Sequence, residues 1–228
     1  MRKENVLLDR LKAEVHGTLL QLPASGLVQG TSGNASGREG DRVVIKPSGI
    51  PYDKLTPNDL VVLDVDGRTL EGHLKPSVDA PAHLTIYRSS PDIGGVVHTH
   101  SVYATAFAAL GRCIPVYLTE QADFFGGEIA ISDYVPPGDE AIGEEFASKA
   151  GSGRYRALLM RNHGVFTAGR TPGDALSAAR IVEHSAMISF LAELLGTPST
   201  LPDAEVRALH EAFTRGYGQS ESEDGRRG

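Results

Sequence analysis

The residues best suited to chemistry are two histidines that end an apolar strand over 94–100. His98 and His100 are spaced i, i+2, and side chains two apart in a β-strand project to the same face. Two neutral imidazoles held in this way can bind one zinc-like cation. The alternative is a strand end where one histidine bonds backbone carbonyls and the other faces water. The pair therefore predicts a metal site only if further ligands lie nearby.

Two further residues, Asp79 and His163, are candidates to complete such a site. Asp79 stands where the chain enters a helix, and His163 follows a buried apolar strand. A catalytic zinc site typically has three or four protein ligands and leaves a position for substrate. Each residue also has a structural explanation, because Asp79 could cap its helix and His163 could be a hydrogen-bonded loop residue. His83, one turn after Asp79, could orient that carboxylate or simply pack.

Strands and helices that alternate along the chain must position these residues. Apolar periodicity predicts helices near 6–22, 79–88, 104–110, 140–149, 172–195 and 204–215. Strands are predicted at 42–46, 60–65, 68–70, 94–100, 116–118 and 157–160. Because hairpin signals accompany the alternation, we expect a single α/β domain with a mixed, mostly antiparallel central β-sheet covered by helices. We expect this domain over 1–219 and a disordered polar tail over 220–228.

The composition is that of an ordinary globular protein. The chain has 228 residues, of which 40% are hydrophobic and 22% charged, and its net charge is −7. This acidic balance argues against a nucleic-acid partner, because phosphate backbones require clustered Lys and Arg. No apolar run approaches the roughly 20 residues that cross a bilayer, so we expect no membrane partner. The single cysteine, Cys113, excludes an intramolecular disulfide and favours a cytoplasmic location.

Seven short motifs follow one another along nearly the whole chain except the tail. They are 33–36 (Gly-Asn-Ala-Ser), 45–49 (Ile-Lys-Pro-Ser-Gly), 75–84 (Lys-Pro-Ser-Val-Asp-Ala-Pro-Ala-His-Leu), 95–101 (Gly-Val-Val-His-Thr-His-Ser), 122–126 (Ala-Asp-Phe-Phe-Gly), 163–166 (His-Gly-Val-Phe) and 216–219 (Gly-Tyr-Gly-Gln). In order and approximate spacing, this series resembles the class II (metal-dependent) aldolase and L-ribulose-5-phosphate 4-epimerase family. The resemblance implies the class II aldolase/adducin-like fold.

The resemblance also implies which residues bind a divalent cation and which hold a substrate phosphate. The implied ligands of zinc, or alternatively of manganese, are Asp79, His98, His100 and His163. The implied phosphate cradle consists of Asn34, Lys46, Ser48, Gly49 and Ser77. Such residues suit phosphate because small side chains allow close backbone approach, hydroxyls and amides donate hydrogen bonds, and lysine offsets charge. Val78 departs from the family pattern, which commonly has a second serine there, and its side chain cannot donate to phosphate.

Asp123 and Tyr217 resemble the acid/base residues of the epimerases. Aromatic neighbours at 124 and 125 could raise the pKa of Asp123 by desolvation. The resemblance further implies a homotetramer with sites between subunits and a small phosphorylated sugar as substrate. The expected reaction is retro-aldol/aldol epimerisation through an enediolate, as in L-ribulose-5-phosphate 4-epimerases.

Three other functions are compatible with the sequence. The first alternative is an aldolase of the L-fuculose-1-phosphate type, which Val78 would favour by altering the phosphate pocket. A sugar-phosphate dehydratase on the same scaffold is a second. A non-catalytic, adducin-like interaction domain is a third, and the complete set of metal-ligand candidates argues against it because a scaffold needs none.

Overall fold

A seven-stranded sheet forms the centre of the fold. The structure, a computed structural model, describes residues 2–216. The strands are β1 (Asn34–Glu39), β2 (Arg42–Ile45), β3 (Val61–Asp64), β4 (Thr69–Glu71), β5 (Gly95–Thr99), β6 (Arg156–Met160) and β7 (Gly164–Gly169). Their order is β4-β3-β2-β1-β5-β7-β6, and each neighbouring pair is antiparallel. The prediction of an α/β domain with a mostly antiparallel sheet is confirmed.

Helices cover both faces of this sheet. They are α1 (Arg2–Ala24), α2 (Ala80–Ser89), α3 (Val102–Leu110), α4 (Thr119–Phe125), α5 (Ala141–Lys149), α6 (Pro172–Leu195) and α7 (Asp203–Gly216). Over residues 2–216, none of these helices is both long and apolar enough to cross a membrane. Tyr217 and the predicted tail over 220–228 lie outside the described residues, so the predicted domain boundary at 219 stays a prediction.

The run Val43-Val44-Ile45 in β2 shows why both faces need a cover. Successive strand residues point to opposite faces, and all three side chains are fully buried. Val43 and Ile45 join a core with α2 and α5, whereas Val44 joins a second core with α1 and α6. The sheet is therefore packed between two helical layers, and polar side chains gather where β1, β5 and β7 reach their ends.

Several elements differ from the sequence predictions: strands β1 and β7 and helix α4 were not predicted, and the strand predicted at 116–118 does not form. The segment 116–118 is not a strand, because the Val116 carbonyl accepts a hydrogen bond from the Leu201 amide instead of from a sheet neighbour. Strand β1 begins at Asn34, although Asn34, Ser36 and Gly37 are residue types common in turns. Its Gly37 lies so close to α1 that an added Cβ would come within 2.7 Å of Leu11 and 2.8 Å of Val15. Close packing of α1 against β1 thus requires glycine at position 37.

Candidate metal centre

The His98 and His100 rings converge at the end of β5. Their Nε2 atoms lie 3.0 Å apart and their ring centroids 4.8 Å apart. This proximity follows from the period-two geometry of the strand, which sends both side chains to one face. His98 is 1% exposed, so the pair lies at the inner wall of a pocket and not on open surface.

The strand neighbours of His98 fix the orientation of its ring. Its Nδ1 donates to the Val165 carbonyl at 2.9 Å, and the ring stacks on Phe166 with a centroid distance of 4.3 Å. Donation through Nδ1 leaves the Nε2 lone pair free and aimed at His100. Burial, reinforced by His163 and His100, lowers the pKa of His98 well below its ordinary value. The ring is therefore neutral, which is the form that binds metals.

His163 joins this pair from the three-residue turn between β6 and β7. Its ring centroid lies 4.8 Å from that of His98 and 5.2 Å from that of His100. The turn places Asn162 in the left-handed region with φ of 59°, a conformation that asparagine tolerates better than most residues. One ligand atom from each of the three histidines lies within 4.8 Å of the others.

Asp79 stands beside the three histidines at the start of α2. Its Oδ2 is 4.0 Å from Nε2 of His98 and accepts a hydrogen bond from Asn34 Nδ2 at 2.8 Å. In the described part of the chain its carboxylate bonds none of the amides at the start of α2. Helix capping, the structural alternative for this aspartate, is therefore not what the carboxylate does here.

These side chains fit a divalent metal ion. Three imidazoles and one carboxylate are a common donor set for zinc and for manganese. One buried polar atom of this set, Nδ1 of His163, has no hydrogen-bond partner within residues 2–216. Buried polar atoms are almost always satisfied, so an unpartnered atom in a cluster of ligand side chains is consistent with coordination or with ordered water.

The metal-ligand candidates form one wall of a cavity of about 410 Å³. All five residues predicted to hold phosphate also line it: Asn34, Lys46, Ser48, Gly49 and Ser77. The side chain of Val78, which is 65% exposed, is at the mouth and adds no hydrogen-bond donor. The structure thus brings the predicted cation site and the predicted phosphate cradle into a single pocket.

Lys46 is the main positive charge of this pocket. It is 2% exposed, its Nζ donates to the Pro47 carbonyl at 3.3 Å, and the same atom lies 4.9 Å from the Tyr52 ring centroid. Burial lowers the pKa of Lys46. No carboxylate in 2–216 forms an ion pair with it, so an anionic ligand would supply the missing counter-charge.

Asp123, one of the two predicted acid/base residues, does not line the site within the described part of its own chain. Asp123 lies in α4 and is absent from the lining of the 410 Å³ cavity among the described residues. Its backbone carbonyl accepts a hydrogen bond from Nδ1 of His210 in α7 at 2.8 Å. Burial, followed by the charge of Glu120, raises the pKa of the Asp123 carboxyl. Tyr217 lies outside the described residues.

Behind the site lies a buried chain of hydrogen-bonded polar side chains, which the sequence analysis did not identify. The Ser36 hydroxyl lies 2.7 Å from Nδ1 of His83 and 2.8 Å from the Tyr87 hydroxyl. His83 is fully buried, and burial lowers its pKa to about 3, so its ring is neutral. The spacing of Asp79, His83 and Tyr87 by four residues each was the available signal, because it places all three on one helix face.

Gly164 lies where the structure leaves no room for a side chain. An added Cβ would overlap the Thr99 carbonyl oxygen and come within 2.9 Å of Cδ2 of His100. We expect Gly164→Ala to lower the free energy of unfolding by about 1–3 kcal/mol, as over-packing does, and to weaken metal binding. Denaturant unfolding and metal titration measure both effects. Gly17→Ala is the matched control, because nothing lies within 4 Å of that Cβ. It should be neutral or stabilising, and equal destabilisation by both changes would contradict the steric argument.

Known proteins resemble this chain over most of its length. An L-ribulose-5-phosphate 4-epimerase, UlaF, from Salmonella paratyphi B is 35% identical over 224 residues, covering 92% of this chain and 96% of that protein. A solved L-fuculose 1-phosphate aldolase has a TM-score of 0.84 at 30% identity, covering 90% of this chain and 96% of its own. The structure of YgbL from Escherichia coli has a TM-score of 0.79 at 27% identity, covering 90% and 99%. Residues 13–190 match the family described as Class II Aldolase and Adducin N-terminal domain. The chain belongs to the class II aldolase and adducin N-terminal domain family.

Proposed function

We propose that this chain is a metal-dependent sugar-phosphate epimerase of the L-ribulose-5-phosphate 4-epimerase type. The observation that carries the proposal is the single cavity that joins His98, His100 and His163 to the buried Lys46. The similarity to UlaF, 35% over 92% of this chain, supports this activity over others on the same fold.

The proposed cation is zinc, with manganese as the alternative, held by Asp79, His98, His100 and His163. Bound there, it would act as a Lewis acid that stabilises the enediolate left when the carbon–carbon bond next to a ketose hydroxyl breaks. The protein itself would keep the three imidazole rings neutral and oriented for metal binding. Burial keeps the His98 ring neutral, and Val165 and Phe166 orient it through a hydrogen bond and a stacked ring.

The other end of the proposed substrate is its phosphate, which we place against Lys46 and the Ser48-Gly49 turn. Gly49 has φ of 70°, a left-handed conformation that glycine adopts at little cost and that lets backbone amides approach an anion. Asn34 and Ser77 are joined by a hydrogen bond of 3.0 Å, so the cradle is preorganised. Val78, at the mouth of the cavity, supplies no side-chain hydrogen-bond donor for the phosphate.

We propose that Asp123 and Tyr217 of a neighbouring subunit complete the site in a homotetramer. Asp123 lies outside the cavity of its own chain among the described residues, which supports a contribution across subunits. In epimerisation one acid/base residue takes the proton of the substrate hydroxyl as the carbon–carbon bond breaks. After the aldehyde rotates, the bond closes on its other face and the second residue returns a proton to the new alkoxide. The raised pKa of Asp123 suits a group that must hold and release a proton.

An aldolase of the L-fuculose-1-phosphate type is the second candidate. The TM-score of 0.84 to a solved aldolase of that name favours it, as does the missing phosphate donor at Val78. The two reactions share their first step and differ in whether the aldehyde is released or retained.

The cytoplasmic location predicted from the single cysteine stays a prediction.

A substrate comparison tests the proposal. The metal-loaded protein is incubated with L-ribulose 5-phosphate and, separately, with L-fuculose 1-phosphate, and the products are followed by NMR. We expect D-xylulose 5-phosphate without free aldehyde from the first substrate. Rapid cleavage of the second to dihydroxyacetone phosphate and lactaldehyde, with no epimer from the first, would replace the epimerase by the aldolase.

Lys46→Met should weaken substrate binding more than it slows turnover. A hydrogen bond to a charged group is worth about 1.5–3 kcal/mol, so we expect KM for the phosphorylated sugar to rise by about 10- to 100-fold. Steady-state kinetics at saturating metal measure the change. The matched control is Lys54→Met, because Lys54 is exposed and does not line the cavity. An unchanged KM in Lys46→Met would exclude this lysine from the phosphate site.

A further inference from the structure

We propose that His83 is a positioning residue that donates a hydrogen bond from Nε2, across one buried water molecule, to Oδ1 of Asp79. Ser36 and Tyr87 hold the imidazole in the tautomer that this donation requires. The inference rests on the proposed role of Asp79 as a metal ligand. It assigns a function to a buried histidine that the reaction itself does not use.

The geometry begins with the spacing of three residues on α2 and its start. Asp79, His83 and Tyr87 are four residues apart, so they share one face of the helix. That face meets Ser36 of β1, whose hydroxyl lies within 2.8 Å of both His83 and Tyr87. Ser36, His83 and Tyr87 each have 0% exposure, so bulk water does not compete for these hydrogen bonds.

The direction of the hydrogen bonds follows from counting protons. The buried Tyr87 hydroxyl has one proton, and Ser36 Oγ is the side-chain acceptor within its reach among residues 2–216. A buried hydroxyl proton without an acceptor is strongly disfavoured, so Tyr87 donates to Ser36. The single Ser36 proton is then donated to Nδ1 of His83. A neutral imidazole that accepts at Nδ1 carries its own proton on Nε2.

This tautomer leaves a donor that needs an acceptor. Nε2 of His83 has no hydrogen-bond partner in residues 2–216, and the same is true of Oδ1 of Asp79. The two residues interact electrostatically across one helical turn. Asn34 already holds the other carboxylate oxygen, Oδ2, at 2.8 Å. With His83 on Oδ1, the carboxylate would be held at both oxygens and Oδ2 kept toward the histidines.

Phe166 adds a second connection between His83 and the metal-ligand candidates. The His83 ring meets Phe166 edge-on at a centroid distance of 5.6 Å, and the opposite neighbour of Phe166 is the stacked ring of His98. Removing the His83 ring would therefore release both Asp79 and the aromatic support of His98. Outer hydrogen-bond partners of metal ligands typically contribute about 10- to 100-fold in metal affinity.

The first test reads the tautomer in the unmodified protein. In the full chain labelled with ¹⁵N-histidine, with and without Zn²⁺, we expect a buried resonance with an unprotonated Nδ1 and a protonated Nε2. His83→Gln identifies this resonance by its loss. A protonated Nδ1 on His83 would overturn the proposal. This NMR measurement requires neither substrate nor turnover. Its result therefore stands even if the protein proves not to be an epimerase.

The second test measures zinc affinity by chelator competition. We expect His83→Phe, which keeps the ring's bulk but no donor, to bind Zn²⁺ about 10- to 100-fold more weakly than the wild type. His83→Gln, whose side-chain amide can replace the Nε2 donor, should recover part of the loss. His16→Gln is the matched control, because Nε2 of His16 bonds the Leu55 carbonyl away from the cavity. Unchanged affinity in a folded His83→Phe protein would overturn the proposal.

Discussion

Replacing His98 with alanine should remove bound metal and lower turnover by about a thousandfold. His98 contributes the most buried ring of the three-histidine cluster, and its Nε2 lies 3.0 Å from Nε2 of His100 and 4.0 Å from Oδ2 of Asp79. Metal-assisted charge stabilisation is worth several kcal/mol, and each ~1.4 kcal/mol is about tenfold in rate. The loss should appear in the turnover number and not in KM alone.

Metal analysis of the purified protein and single-turnover kinetics check this prediction. The matched control is His73→Ala, because His73 is exposed and does not line the cavity. This control should retain full metal content and activity. Stoichiometric metal in His98→Ala would refute the metal centre itself, whether or not the variant is active.

Asp123→Asn should slow epimerisation by about 100- to 10,000-fold, the usual contribution of a general acid or base. Because Asp123 lies on α4 outside the cavity of its own described chain, metal content should not change. The amide keeps the size of the carboxyl group and removes its proton exchange, so the packing of α4 on α7 should survive. Turnover, metal content and thermal unfolding together separate this outcome from misfolding.

Mixing two inactive variants tests whether Asp123 acts across subunits. His98→Ala and Asp123→Asn are unfolded together, refolded as hybrids and assayed. If the site is built between subunits, some interfaces combine an intact metal centre with an intact Asp123, and activity should return. Hybrids that remain as inactive as their parents would place both residues in the site of one chain or exclude Asp123 from catalysis.

The three histidines among the metal-ligand candidates could be predicted because their positions along the strands determine where their side chains lie. The strand period places His98 beside His100, and a turn after a buried strand places His163 at the same sheet edge. Helix α6 was also predicted with its observed bounds, Pro172–Leu195. Its start has local signals, since Thr171 caps it by accepting from the Asp174 amide and proline follows the cap.

Features that depend on contacts distant in sequence were not predictable in the same way. Strand β1 consists of residues with low strand propensity, and it forms because β2 and β5 pair with both of its edges. Ser36 is unremarkable in sequence, yet the pairing of β1 places it 2.7 Å from His83. The position of Asp123 likewise depends on how α4 packs against α7, which local periodicity does not encode.

Epimerisation in deuterium oxide tests the central claim most directly. Breaking and re-forming the carbon–carbon bond inverts carbon 4 without ever removing the hydrogen attached to it. We therefore expect the metal-loaded protein to convert L-ribulose 5-phosphate to D-xylulose 5-phosphate with no deuterium at carbon 4 by NMR, and to lose this activity when a chelator removes the metal. Deuterium at carbon 4 would mean proton abstraction instead of bond cleavage, and would contradict the retro-aldol account.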